Sequence, residues 1–194
     1  YLEEAVSMAG LFLGNKPVVG VVENDSRRVL RDENPAKMNE LAAHPLVVLV
    51  DEGTASASEV LAGALKDHQK AILVGSDHTY GKGSVQKLFH LDDPLLQVGL
   101  TNAYGNGVLK LTTSIFYSPL GHSPANGGVS SHIAIDATPG SEPIVNVSSK
   151  HVPEIEPLIE DSKVALLRLK ESRVKRCVEW LDKQRQDRQD IALN

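Results

Sequence analysis

The chain has very little of three features that would each point to a class of protein. Its 194 residues include one cysteine, Cys177, so no disulfide can form within the chain. No apolar run approaches the roughly 18 residues of a membrane-spanning helix, so the sequence predicts no membrane span. Positive charge is not in excess, and a formal net charge of -5 argues against nucleic acid as a partner. The hydrophobic content of 41% still suffices for a buried core.

The most regular pattern lies in residues 46–74. Leu46 to Val50 are all apolar and rich in valine, which is typical of a strand buried on both faces. A second short apolar run, Ala71 to Val74, predicts another buried strand. Apolar residues at helical spacing lie between the two runs: Ala57, Val60, Leu61, Ala64 and Leu65. The pattern predicts a strand–helix–strand crossover, the unit from which parallel sheets of α/β domains are built.

Ser56 lies where the first strand has ended and the helix begins. The N–H groups of that first turn, including that of Ala57, have no partner within the helix and could stabilise an oxyanion. However, Ser56-x-x-Glu59 also matches a capping box, in which the serine only caps the helix. Taken alone, this local motif favours the structural interpretation over the catalytic one.

Longer motifs on both sides of Ser56 change that balance. The runs T-A-S-A-S-E (54–59), K-D (66–67) and Y-G-K-G-S-V-Q (80–86) resemble S-A-S-A-S-E, Q-D and F-G-K-G-[ST]-V-Q of the C-terminal processing, or tail-specific, serine peptidases. The resemblance extends from Tyr1, where L-E-E-A-V-S-M-A-G-L-F is similar to A-L-T-E-A-V-S-L-S-G-L-F, to about Ile135. It departs from the family pattern at Ser131 and His132, which replace a proline and an aspartate.

The resemblance implies a role for each matching residue. Ser56 corresponds to the nucleophile, Lys82 to the lysine base, Gln86 to the glutamine that orients the lysine, and Asp67 to an aspartate that supports activity. Ala57 would donate one oxyanion N–H. Neither a cofactor nor a metal is implied.

The chemistry of a serine–lysine pair sets two conditions. A lysine can take the serine proton only if its pKa, about 10.4 in water, falls toward 7 or 8, as burial among apolar groups can achieve. Lys82 has no carboxylate within four residues on either side, which favours such surroundings. Gln86 is four residues further on, so a direct bond to Lys82 needs a turn or bend, which Gly81 and Gly83 would permit. Asp67 is eleven residues from Ser56, about 16 Å along a helix, and can support the site only from a distance.

The family resemblance also implies an α/β fold: a crotonase/ClpP-like core of βαβ units with a C-terminal helical extension. We expect residues 1–140 to form the protease core, 141–152 a linker rich in Pro, Ser and Val, and 153–194 the helical extension. The remaining elements are predicted to be a helix from Tyr1, a strand at 17–22, a polar surface loop at 23–43, strands at 95–103 and 108–117 with a tight turn at 104–107, and a loop at 119–128.

The function implied is that of a Ser–Lys endopeptidase that recognises proteins by apolar C-terminal tails, in the periplasm or cell envelope. The family's glycine-rich oxyanion segment and peptide-binding PDZ domain are missing from the sequence, so we expect a catalytic-core fragment with weakened activity. One alternative remains, a non-catalytic binding module on the same fold. A histidine-based site using His68 or His78 is disfavoured, because His68 directly follows Asp67 near the helix end, where a histidine more often only meets the helix dipole. Phe116 and Tyr117 are either lining of a side-chain pocket or plain core.

Overall fold

The computed structural model describes residues 1–33, 44–90, 107–135 and 151–159. These ranges contain two α-helices, seven strands and a short 3₁₀ helix, Pro124–Asn126. No helix within them is long and apolar enough to cross a bilayer. The elements in chain order are α1 Leu2–Leu13, β1 Val19–Glu23, β2 Ser26–Leu30, β3 Leu46–Val50, α2 Ala57–Asp67, β4 Ala71–Gly75, β5 Ser84–His90, β6 Val108–Tyr117 and β7 Ile133–Ala134.

The predicted crossover is present as β3–α2–β4. The two strands pair in parallel, with Leu46 opposite Ala71 and Val50 opposite Gly75. β7 pairs in parallel with the other side of β4, giving the strand order β3-β4-β7. Parallel strands place their C-terminal ends at the same sheet edge, so the turn after β3 and the loop after β4 lie close together.

The faces of β3 differ from the prediction. The side chains of Val47 and Leu49 are 58% and 78% exposed, whereas Leu46 and Val48 are half-buried and Val50 is buried. β3 is an edge strand of its sheet as described, and only one of its faces packs on the core. The prediction of burial on both faces is therefore wrong for the described part of the chain.

A second, antiparallel sheet has the strand order β2-β1-β6-β5. β1 and β2 form a hairpin whose turn includes Asn24 with a positive φ of 52°. The predicted surface loop over 23–43 is wrong at β2, because three exposed polar residues, Ser26 to Arg28, conceal the strand in the sequence. Residues 34–43 lie outside the described part.

The core lies between the helices and the two sheets. α1 packs against α2. Burial of each large aliphatic side chain contributes about 1.5–3 kcal/mol. Phe116 and Tyr117 are both buried, which assigns them to the core rather than to a pocket. The least exposed aliphatic side chains are Ala9, Val18, Val19, Ala64, Leu65 and Leu73.

Residues 151–159 follow an irregular path over the loop after β6. The Ile155 N–H donates to Gly121 O at 3.1 Å, and the Leu158 N–H donates to Pro119 O at 2.7 Å. Because these amides bond to loop carbonyls, the helix predicted from residue 153 does not begin there. The strand and turn predicted at 95–106, and the remainder of the predicted linker and extension, lie outside the described residues.

Candidate active site

Ser56 occupies a sharp turn between β3 and α2. The turn is held by Thr54, whose hydroxyl donates to Asp51 Oδ1 at 2.9 Å and accepts from the Asp51 N–H at 3.1 Å. Ser56 has φ 58° and ψ -116°, a region that side-chain-bearing residues rarely adopt. A helix-capping residue ordinarily has an extended backbone instead. Capping alone therefore does not account for this conformation.

The capping box predicted for Ser56 and Glu59 is nevertheless present. The Ser56 N–H donates to Glu59 Oε2 at 2.8 Å. Backbone strain of this kind costs about 1–3 kcal/mol and concentrates at functional sites. A strained strand-to-helix turn is also how nucleophile elbows present a serine hydroxyl in front of a helix. Ser56 thus caps α2 and also has the strained backbone that is typical of a nucleophile elbow.

Glu59 joins this turn to the loop after β4. Its side chain is fully buried and accepts four hydrogen bonds. Oε1 accepts from Thr79 Oγ1 at 2.5 Å and from the Gly81 N–H at 2.6 Å. Oε2 accepts from the N–H groups of Ser56 and Lys82, each at 2.8 Å. The amide nitrogens of Ser56 and Lys82 share one oxygen atom, so they lie at most 5.6 Å apart.

The surroundings of Lys82 differ from those expected. Its side chain is exposed rather than buried among apolar residues. The Lys82 backbone N–H donates to the carboxylate of Glu59, which lies 23 residues earlier in the chain. Counting the carboxylates within four residues of Lys82 therefore did not reveal this contact. Gly83 fixes the path that follows, because a Cβ there would lie 2.5 Å from Ala125 N. The backbone around Lys82 is therefore held on both sides.

Gln86 lies within β5, opposite Thr112 of β6. The pairing register shifts between Val85 and Gln86, so Thr113 of β6 has no opposite residue. Such bulges bend a strand and redirect side chains. The extra residue lies in β6 and not between Lys82 and Gln86, so the bend that a Lys82–Gln86 contact requires stays a prediction. No hydrogen bond joins the two side chains within the described residues, and the role of Gln86 stays a prediction.

Asp67 lies at the far end of α2, away from Ser56. Its Oδ2 accepts a hydrogen bond from the Leu120 N–H at 2.9 Å. Asp67 therefore anchors the loop that follows β6 and does not contact the serine. Ala57 is the first residue of α2, in the turn whose N–H groups face outward from the helix end.

The two histidines considered for catalysis are occupied elsewhere. His68 Nε2 bonds to Pro17 O at 2.7 Å, which fits the neutral ring, and burial lowers the pKa of His68. His78 Nδ1 lies 2.8 Å from Thr79 O. Neither ring bonds to Ser56 in the part of the chain that the structure describes. The same ranges contain no group of His, Cys, Asp and Glu arranged to hold a metal ion.

Sequence reasoning missed the roles of Glu59 and Thr79 in this site. The capping motif identified Glu59 but assigned it only to Ser56, three residues away. Thr79 carries no local signal, although its buried hydroxyl bonds to Glu59 and accepts from the Val129 N–H at 2.8 Å. Both roles depend on the crossover that brings residues 79–82 beside the helix.

This fold places the chain among α/β proteins, with a serine of positive φ at the turn between a parallel strand and a helix. Residues 1–135 match the model of Peptidase family S41, and the chain belongs to that family. The predicted α/β, crotonase/ClpP-like core is confirmed by its structural relatives. The photosystem II D1 C-terminal processing protease is 33% identical, with a TM-score of 0.54 over 70% of this chain and 31% of that one.

Curated relatives are longer than the chain. A carboxy-terminal-processing protease of Bartonella bacilliformis is 35% identical over 136 residues, which are 70% of this chain and 28% of the relative. A carboxyl-terminal-processing protease of Synechocystis sp. is 45% identical over 92 residues, 47% of this chain and 21% of the relative. The matched part of the chain thus spans between a fifth and a third of each of these three relatives.

Proposed function

We propose that the chain is the catalytic core of a serine endopeptidase in which Ser56 is the nucleophile and Lys82 the general base. The observation that carries the proposal is the shared Glu59 oxygen, which keeps the backbones of the two residues within 5.6 Å. The strained conformation of Ser56 supports it, since a plain helix cap has no need of that conformation.

The proposed reaction has two steps. The Ser56 hydroxyl attacks the substrate carbonyl while Lys82 accepts its proton, and the Ala57 N–H bonds to the oxyanion that forms. Lys82 then gives the proton to the leaving amine, and a water activated by the same lysine hydrolyses the acyl-enzyme. Because Lys82 is exposed, we propose that bound substrate covers it and excludes water from the dyad.

We further propose that the substrates are proteins with apolar C-terminal tails, cleaved in the periplasm or cell envelope. The β5–β6 pair that follows Lys82 exposes Leu88 and Val108 on one face and Leu109 and Leu111 on the other, and either apolar pair offers a surface for an apolar peptide. Cleavage of two otherwise identical unfolded proteins, one ending in apolar residues and one in charged residues, tests this specificity. Equal cleavage rates would contradict it. Fractionation of the source cells tests the compartment.

The dyad is tested by cleavage of an unfolded protein with the full-length parent and its Ser56→Ala and Lys82→Ala variants. Both changes are expected to lower kcat at least about 1000-fold while the far-UV circular dichroism stays native. Matched controls are Ser58→Ala, an exposed serine in the same helical turn, and Lys87→Ala, an exposed lysine five residues after Lys82. Cleavage at the parent's rate by both dyad variants would refute the mechanism and favour a binding module.

A further inference from the structure

A cavity separate from Ser56 lies between the second half of α2, the loop after β6 and residues 151–159. Its volume is about 250 Å³. The described residues that line it include Gly63, Lys66, Ser118, Ser130 and Glu154. Lys66 is ten residues from Ser56, about 15 Å along the helix. The Lys66 end of the cavity is therefore remote from the Ser56 hydroxyl.

Lys66 brings a positive charge to this cavity. Its ammonium group donates to Ser130 O at 2.7 Å and to Ser130 Oγ at 2.6 Å, both neutral oxygens. No carboxylate lies within ion-pairing distance of it among the described residues, although Asp67 is the next residue in the chain. Burial lowers the pKa of Lys66, because its charge is only partly compensated. A ligand carboxylate would compensate it.

Ser118 provides an unused hydrogen-bonding group at the same cavity. Its hydroxyl is buried and has no hydrogen-bond partner within the described residues. A buried polar atom left without a partner costs about 1–3 kcal/mol, so such atoms call for an explanation. The Ser118 backbone is fixed by its N–H bond to His122 O at 2.8 Å. A bound acceptor would therefore accept a hydrogen bond from this hydroxyl with little loss of conformational entropy.

Negative charge also borders the cavity. Glu154 is largely exposed and pairs with His122 at 2.7 Å, and Asp67 uses Oδ2 to hold the Leu120 N–H. Pro124 and Val129 add apolar surface. The lining thus offers a cation, two carboxylates and an apolar wall in a space of small-molecule size. This combination matches a molecule that carries both an ammonium and a carboxylate group.

We propose that this cavity binds a zwitterionic ligand of the α-amino-acid class, either a free amino acid or a short peptide. Its carboxylate bonds to Lys66 and Ser118, and its ammonium group bonds to Asp67 or Glu154. An apolar side chain packs on Val129. The proposal concerns binding only and does not depend on the peptidase activity.

The test is isothermal titration of the full chain with leucine, N-acetylleucine, leucine amide and leucyl-leucine. Leucine or the dipeptide is expected to bind saturably, and removal of either charge should raise Kd about ten- to hundredfold. Tighter binding of leucine would identify a free amino acid, and tighter binding of leucyl-leucine a short peptide. No saturable binding below about 10 mM, or equal binding of the blocked derivatives, would overturn the proposal.

Three variants locate the binding in this cavity. Lys66→Met should abolish the discrimination between leucine and leucine amide, whereas Lys70→Met, a lysine just beyond the same helix end, should preserve it. Ser118→Ala should weaken binding about two- to tenfold without lowering Tm, because it removes a buried hydroxyl that has no partner among the described residues. Unchanged leucine binding by Ser118→Ala and Lys66→Met would place the ligand elsewhere and refute the site.

Discussion

Removal of the Glu59 carboxylate is the sharpest test of how this site is assembled. Glu59→Ala leaves three backbone N–H groups without their acceptor, that of Gly81 in a buried place and those of Ser56 and Lys82 in partly buried ones. Each unpaired donor costs about 1–3 kcal/mol, and losses above about 5 kcal/mol are rare for single substitutions. We therefore expect the free energy of unfolding to fall by about 3–5 kcal/mol.

Glu59→Gln separates the number of acceptors from the shape of the side chain. If its oxygen takes the position of Oε2, it still accepts from Ser56 and Lys82, while its NH₂ group faces the Gly81 N–H, which is also a donor. The expected loss is smaller, about 1–3 kcal/mol. Glu3→Ala, an exposed acidic residue of α1, is the control and should change stability by less than about 0.5 kcal/mol.

Two assays measure the consequences of these substitutions. Urea unfolding followed by circular dichroism gives stability, and the labelling rate of Ser56 by a fluorophosphonate gives reactivity under conditions where the variants remain folded. Because a misplacement of about 1 Å can cost 100-fold in rate, Glu59→Ala should label at least about 100-fold more slowly than the parent, with Glu59→Gln between them. If Glu59→Ala keeps the parent's stability and labelling rate, Glu59 does not hold the site together.

Three further predictions concern other parts of the molecule. Because burial places the pKa of His68 below its unfolded value of about 6.5, the unfolded chain binds more protons near pH 6. Stability should therefore fall as pH drops from about 7.5 to 5.5, and a urea midpoint in His68→Gln that falls just as steeply would contradict this. Ser56→Gly should have a Tm at least as high as that of Ser56→Ala, since glycine adopts φ 58° freely, and both variants should be equally inactive. A lower Tm for Ser56→Gly would show that the turn is not strained. Gly63→Ala should stabilise the protein by about 0.5–1 kcal/mol in urea unfolding, because the atom nearest to the added Cβ is 3.6 Å away. Gly83→Ala should destabilise the protein, because its Cβ would lie 2.5 Å from Ala125 N. The opposite order of stabilities would refute the packing described.

Elements with a strong apolar period could be predicted from the sequence, whereas weakly patterned strands could not. α2 and β4 were recognisable because their buried faces repeat at helical spacing or run uninterrupted. β2 and β5 were missed, since no residue of either strand is buried and both strands are held by backbone pairing to a distant or adjacent partner. Pairing of this kind leaves little trace in local composition.

The candidate site shows the same division. The motifs predicted Ser56 and Lys82 as site residues, and the predicted capping box between Ser56 and Glu59 is confirmed. The exposure of Lys82 and the three bonds that Glu59 accepts from Thr79, Gly81 and Lys82 could not be inferred, because they follow from the crossover that returns residues 79–82 to the start of α2. Local sequence specified the groups, and tertiary geometry specified their connections.

The pairing of β1 with β6 carries a consequence for folding. The β3–α2–β4 unit closes over about thirty residues, but Val21 pairs with Phe116, 95 residues further along the chain. Contacts of such high sequence separation form late, because the entropy of closing the loop must be lost before they contribute. We expect the parallel unit, with the Ser56 turn, to fold first and the antiparallel sheet to close last. Destabilising substitutions in β1 should then mainly accelerate unfolding, while those in α2 should slow refolding.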